Sequence, residues 1–421
     1  MKRIHYFSLL LAAALSACQQ DREVSLIFTN PLDLQRNDAP VLLSREMIAG
    51  WTDVPGGLLP LITDTAGTPV PGQADDLDGD GEWDELFLLT DLGPYATVRV
   101  NLQFVSQGEY PSFTLRTNLR MGANEPGYPE LERAGRLEGI TYHNHARTGE
   151  VYQMEGPAWE NDLVGFRNYM DQRNGMDIFG KITREMVLDS VGLAGGPSYH
   201  EPDWWGMDVL KVGTSLGAGA IAYRMRDTLY RVGDNGSGSY IRRYEGPLRS
   251  GFDLTYTGWN PGEAEMDVTH FIEIIGGHRF YGSQVKYEWA DGGTVQSEGT
   301  ELVTGIVNMK SDTLFRRELN SAYTGLMTHD YQAEDTTLLA MALLVPTERL
   351  TEIGRTPDQG EGITQTYFAA LKAEPGELVP YRFYALWERE DPRWASHEEV
   401  FHLLREEAER WGNPVSVSLA D

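Results

Sequence analysis

Apolar and polar positions alternate in short bursts along most of this chain. VSLIFTN, APVLLS, WDELFLLTDL, TVRVNLQFV and SFTLRTN come first, separated by clusters of Gly, Pro, Asn and Asp. Short runs with a period of two, bounded by turn formers, are the pattern of antiparallel strands. It continues through GMDIFGKITREMVLDSV, GMDVLKVG, AIAYRM, TLYRV, SGFDLTYTGW, DVTHFIEII, VKYEW, TGIVNM, TLLAMALLV and YRFYALWE. The chain therefore reads as all-β, a large antiparallel β-sandwich. Two stretches depart from that period. SHEE at 396–399 is a capping box, and Val400, Phe401, Leu404, Ala408 and Trp411 then recur at helical spacing until Asn413-Pro414. This predicts a C-terminal helix, followed by VSVSL as a closing strand. ITQTYFAALK is expected to form a second, shorter helix.

The polar, Gly- and Pro-rich stretch NLRMGANEPGYPELERAGR marks a boundary. An N-terminal β domain is expected over 25–135 and a β-sandwich catalytic domain over 136–421. The 45 glycines and the 10% aromatic content agree with β structure.

The first residues bear on location. Lys2 and Arg3 precede FSLLLAAAL, an apolar run too short to span a bilayer and suited to a secretory signal over residues 1–17. Leu15-Ser16-Ala17-Cys18 has the form of a bacterial lipobox, in which Cys18, the single cysteine, becomes the lipidated first residue of a tether over 18–24. The other reading is a chance Cys after a plain signal peptide. The lipobox implies a lipid anchor in the cell envelope, at the outer membrane, as the chain's only membrane contact. A lone Cys leaves no disulfide within the chain, so packing alone must hold the fold. The net charge of −28 repels nucleic acid and anionic lipid unless a local basic site overrides it. No Walker loop, G-x-G-x-x-G or G-x-S-x-G is present, so nucleotide and serine-hydrolase chemistry have no support.

Residues 76–84, DLDGDGEWD, carry Asp76, Asp78, Asp80 and Asp84 with Gly81 after Asp80. Alternate carboxylates on a tight loop suit a hard cation, and a structural Ca²⁺ is expected here, against an exposed acidic turn. A full EF-hand would need Glu where Phe87 stands, so the match is to shorter Asp loops joining strands.

RNYMDQR, at 167–173, is the densest polar pattern. Read as a strand, Val164, Phe166, Asn168 and Met170 share one face, and Arg167, Tyr169, Asp171 and Arg173 the other. This is either a solvated strand whose charges pair among themselves or the floor of a groove for an anionic sugar, since Arg's planar fork matches a carboxylate or sulfate. Titratable and aromatic groups crowd around it: His143 and His145, Trp159 and Glu160, Asp177 and Lys181, then His200, Trp204, Trp205, Asp208 and Lys211. Trp204 and Trp205 are either stacking surface for a sugar ring or core. His143 and His145 share a strand face, for catalysis, a metal or a structural role.

EGPAWENDLVGFRNYMDQRNGMDIFGK and YHEPDWWGMDVLKVGTSLGAGAIA together resemble the signature of domain-of-unknown-function family 4861. TNPLDLQR, the Asp loop and the C-terminal helix resemble that family too, so the likeness covers nearly the whole mature chain. EGPLRSGFDLTYTGW additionally resembles strands of galactose-mutarotase-like super-sandwiches. The resemblance implies a secreted carbohydrate-active protein that dehydrates the non-reducing-end uronic acid of oligosaccharides. That chemistry needs a base for the C5 proton, a cation for the carboxylate and an acid for the C4 hydroxyl. Arg167 and Arg173 are then expected as carboxylate clamps. Tyr169 with His143 or His145 is the expected acid/base pair, with His200 in reserve. Asp171 orients a neighbour, and Lys181, Trp204 and Trp205 contact the sugar. The rivals are a polysaccharide lyase, a glycoside hydrolase using Glu160, Asp171 or Asp177, and a non-catalytic glycan-binding lipoprotein.

Overall fold

The computed structural model describes residues 24–124, 135–140, 151–233, 236–261, 265–290, 300–332 and 336–420. His143, His145 and Cys18 lie outside the described residues.

Period-two patterning becomes two-faced strands. In Met266–Ile275, Met266, Val268, His270, Ile272 and Ile274 are buried while Asp267, Thr269, Phe271 and Glu273 are only partly so. That strand is one of nine in a single antiparallel sheet. Its order is Phe315–Glu318, Tyr323–Asp330, Leu339–Pro346, Val379–Trp387, Phe280–Trp289, Met266–Ile275, Arg249–Trp259, Ser237–Glu245 and Arg136–Ile140. Two five-stranded antiparallel sheets cover its inner face. One runs Thr228–Arg231, Ala218–Met225, Thr300–Val307, Thr366–Lys372, Leu350–Arg355; the other runs Gly206–Asp208, Met176–Lys181, Val164–Asn168, Ala158–Asn161, Thr117–Arg120. The expected all-β sandwich is the observed architecture.

An aromatic column ties the second of these sheets to the large one. Phe166 meets Tyr281 edge-on at 4.9 Å, Trp159 meets Phe252 at 5.3 Å, and Tyr281 stacks on Phe383 at 5.7 Å. All these rings are buried.

Thr366–Lys372, within the segment expected as a short helix, is a strand paired on both sides. TYFAAL is apolar without interruption, and all six residues are buried. A central strand covered on both faces loses its period of two, which is why spacing misread it. The C-terminal helix is present as His397–Gly412, with Ser396 Oγ accepting from the Glu399 N–H at 3.4 Å. Its Val400, Phe401, Leu404 and Ala408 pack on the outer face of the nine-stranded sheet.

The N-terminal part forms a four-stranded and a three-stranded sheet. Ser416–Leu419 pairs with Val24–Thr29, so the far end of the chain closes the first sheet. A cut at 135/136 therefore leaves that last strand on the wrong side. Buried ion pairs also cross the boundary, with Arg249 2.8 Å from Asp75 and 2.7 Å from Glu85.

In the sheet holding Val164–Asn168, alternation sends Phe166, Val164 and Ile178 to the core and Arg167, Asp177, Phe179 and Lys181 to the opposite face. A cover closes that face: Val187, Leu188, Val191 and Trp205 pack on Phe179, Met154 and Ala158. The cover rejoins the sheet at Gly206, where φ is +135° and a Cβ would sit 1.8 Å from the Gly180 carbonyl oxygen. Only glycine fits there. Beneath the cover, Lys181 pairs with Glu160, both fully buried. Glu160 also accepts from the Val187 and Leu188 N–H groups at 2.7 Å, which pins the cover to the sheet. Lys181, expected as a sugar contact, is sealed from solvent and has a structural place instead. Lys181→Met leaves Glu160 buried without its cation and is expected to cost about 3–5 kcal/mol in a denaturant melt.

Candidate functional site

The cluster around RNYMDQR grows from a β-hairpin. Val164–Asn168 and Met176–Lys181 pair antiparallel with Arg167 opposite Asp177, a placement that brings side chains within about 5 Å. Arg167 and Tyr169 share a face, as the alternation predicts. The row then ends. The chain turns through 171–174, with the Asn174 N–H donating to the Asp171 carbonyl at 3.0 Å and Asn174 at φ +37°. Asp171 and Arg173 therefore sit in the turn rather than farther along a strand, and Arg173 folds back over the Tyr169 ring at 3.9 Å.

Arg167 is the hub, 1% exposed. Its Nη2 donates to Asp177 at 2.7 Å, to Asp208 at 2.7 Å and to the Tyr169 hydroxyl at 2.6 Å. Its Nη1 donates to the Tyr199 hydroxyl at 3.0 Å and lies 3.6 Å from Glu155. Asp208 comes from Gly206–Asp208, the strand that follows the cover. With its donors turned inward, Arg167 positions its neighbours; burial corrects its expected role as a clamp on substrate. Tyr169 is buried and donates to Asp177. Burial, reinforced by Asp177 and Asp208, raises its pKa well above the usual phenol value despite Arg167. A phenol so held keeps its proton, which argues against its expected acid/base role.

Asp177 and Asp208 share this one guanidinium. Burial and then the Asp208 charge push Asp177 up to about 6. His200 caps the network from outside: its Nδ1 lies 3.3 Å from Asp208 Oδ2, and its side chain is 60% exposed. The hydrogen bond to Asp208 raises its pKa above the ordinary imidazole value, against partial burial. Its ring rests on Tyr199 at 4.4 Å between centroids. An imidazolium that an aspartate orients and solvent reaches is equipped to give and take protons.

Arg173 is partly exposed and grips Asp171 through Nη2 at 2.6 Å and Nε at 2.9 Å, with Glu155 at 3.7 Å. Asp171 therefore orients Arg173, in line with its expected part. Arg173 also lines a cavity of about 560 Å³ with Tyr230, Arg231, Trp259 and Asn260. The tryptophan alternatives divide: Trp204 is 59% exposed, whereas Trp205 is core, 6.0 Å from the Phe179 ring.

Tyr199, Glu155 and the sharing of Arg167 by Asp177 and Asp208 carry no sequence signal of their own, apart from Tyr199 being next to His200. They are joined only by folding. Elsewhere, Asp76, Asp78 and Asp84 bring carboxylate oxygens within 4.8 Å of one another. Asp80, also expected as a ligand, falls outside that group and accepts from the Glu82 N–H at 2.8 Å.

Comparison with known proteins follows this geometry. The chain is similar to "Uncharacterized protein P7" of Formosa agariphila, with 23% identity over 280 residues that cover 62% of this chain and 66% of that protein. Among solved structures it is similar to an alpha-mannosidase from Enterococcus faecalis V583, with TM-score 0.49, 9% identity, and coverage of 95% of this chain and 46% of that one. It is similar also to a protein in the glycosyl hydrolase family 38 from Enterococcus faecalis, with TM-score 0.47, 9% identity, and coverage of 95% and 47%. The chain thus spans about half the length of these two solved proteins. Residues 28–417 match the family described as Domain of unknown function (DUF4861), and the chain belongs to that family.

Proposed function

We propose that this protein is a carbohydrate-active carbon–oxygen lyase of the dehydratase type. It removes water from the non-reducing-end uronic acid of anionic oligosaccharides and leaves a 4,5-unsaturated uronate. The observation that carries the reading is the exposed His200 imidazole, held by Asp208, in a cluster whose aspartates are withdrawn and whose Glu155 is partly exposed. Asp171, Asp177, Asp208 and Glu160 are all buried and engaged with cations. A glycoside hydrolase needs two carboxylates facing the sugar. A site that offers solvent an imidazole and a guanidinium suits elimination better.

In this mechanism the C5 proton passes to a base, and its electron pair forms the C4–C5 double bond. The C4–O bond breaks, and the hydroxyl leaves as water with the proton of the His200 imidazolium. Arg173 meets the substrate carboxylate, displacing Glu155, whose 3.7 Å contact is longer than the 2.6 Å contact to Asp171. The base is His143 or His145, following the sequence expectation. The cavity beside Arg173 receives the sugar, and Trp204 offers a ring face at the surface.

We propose further that the Asp76, Asp78 and Asp84 carboxylates hold a structural Ca²⁺, and that Cys18 carries a lipid anchor to the outer membrane.

With a uronate-ended oligosaccharide, ultraviolet absorbance is expected to rise as the double bond forms; a flat trace with every such substrate would sink the reading. His200→Gln should lower kcat by about 10²-fold without unfolding the protein. In an NMR titration, His200 should titrate above the unperturbed value of about 6.5, and Asp208→Asn should return it there. Because the folded-state pKa is the higher one, the stability from this pair is complete below the unfolded pKa. It is lost as pH rises through the folded value. Ca²⁺ at 100 times its Kd should add about 2.7 kcal/mol to stability. A chelator should reverse that gain, and Asp76→Asn with Asp84→Asn should abolish it.

A further inference from the structure

The outer face of the nine-stranded sheet carries a second feature that the proposed reaction does not use. A groove of about 1120 Å³ lies between that face, the N-terminal sheets and the C-terminal helix. Its volume exceeds the roughly 300–1,000 Å³ of ordinary small-molecule pockets, room for several sugar units rather than one. Strand alternation puts it on the opposite side of the sandwich from His200. Phe252, Ile272, Tyr281 and Val285 point inward toward Trp159 and Phe166, whereas Asp253, Phe271, Glu273, Gln284 and Lys286 point outward into the groove. The hairpin of Arg167 belongs to the sheet that those inward residues pack against, with Arg167 on the face turned away from them.

The floor carries two aromatic rings, tilted 58° to one another. Tyr244 lies against Gly251, where a Cβ would meet its ring at 2.8 Å, and its centroid is 6.3 Å from that of Phe271. Both rings are half-buried. Gly282, paired with Glu273 on one side and Arg382 on the other, leaves open space above the floor. Buried pairs hold these walls: Arg249 to Asp75 and Glu85, and Glu407 to Arg410 at 2.7 Å.

Charge is layered. The carboxylates lining the groove sit deep, with side-chain exposures of 24% for Glu85 and Glu273, 7% for Glu407 and 3% for Asp253. Two of the lining cations stand forward, Arg243 at 47% and Lys286 at 37%, while Arg249, Arg382 and Arg410 lie back among the carboxylates. Lys286 lies 3.0 Å from Glu288 at the rim, an exposed pair that contributes little. On a chain of net charge −28, this lining holds more arginines and lysines than carboxylates. Such a surface over aromatic rings selects a sugar chain bearing negative groups.

We infer that this groove is a non-catalytic binding site for an anionic oligosaccharide, separate from the His200 cluster. It retains the polymer while the other face of the sandwich stays available for chemistry.

The test is calorimetric titration with oligogalacturonate, in a His200→Gln background so that no turnover intrudes. Binding should weaken with added salt, and a neutral cello-oligosaccharide of equal length should not bind. Lys286→Glu should weaken the oligogalacturonate affinity at least threefold, with an unchanged thermal midpoint, because its Glu288 partner is exposed, and with unchanged turnover of a short substrate when His200 is restored. Arg173→Ala should change the affinity less than twofold. Equal affinity in the charge-reversed protein, or equal binding of the neutral oligomer, would overturn the inference. A flat absorbance trace in the native protein would count against the dehydratase reading alone, because the groove is read by binding.

Discussion

Everything about the candidate site depends on one guanidinium sealed among two aspartates and two phenols. Arg167 costs several kcal/mol to desolvate, and so does each carboxylate it holds. That arrangement is poor value as a source of stability, since apolar residues of similar volume would do as well. What it achieves is placement. Arg167 joins the hairpin to Gly206–Asp208, the strand that returns from the cover, and leaves Asp208 with charge to spare for His200. An exposed imidazole is thereby held at a set angle by a network that water does not reach.

The sandwich explains how that network is kept dry. Phe166 and Trp159 fill one side of their sheet, locking the strands to the nine-stranded sheet behind. The other side is polar and would be solvated were it left open. The cover closes it with Val187, Leu188, Val191 and Trp205, and Glu160 holds that cover by accepting two of its N–H groups. Lys181 balances the Glu160 charge. The two buried ionic clusters thus divide the labour: one fastens the cover and the other orients the exposed imidazole.

The opposite surface obeys the same physics with the charges reversed in depth. There Asp253 is sunk beneath an exposed Arg243, whereas around Arg167 the cation is sunk and an imidazole is exposed. An acidic chain presents a local cation where the partner is buried, as Arg243 does over Asp253, while Arg249 is itself buried with Asp75 and joins the N-terminal sheets to the sandwich.

Much of this was legible in the residues alone. Period-two patterning specified strands, the capping box specified His397–Gly412, and the separation of Phe166 from Arg167 and Tyr169 followed from the pleat. These are local properties, decided by neighbours one to four positions apart. The Thr366–Lys372 strand was misread because burial on both faces erases the period that local reading relies on. The site was legible as a neighbourhood but not as a geometry. No spacing rule says that Asp177 and Asp208 share one arginine, that Arg173 turns back across Tyr169, or that Lys181 belongs to Glu160. Those contacts join residues brought together by strand register and by the cover's return at Gly206. Only the tertiary structure decides which charges water can reach, because burial is a property of the packed whole.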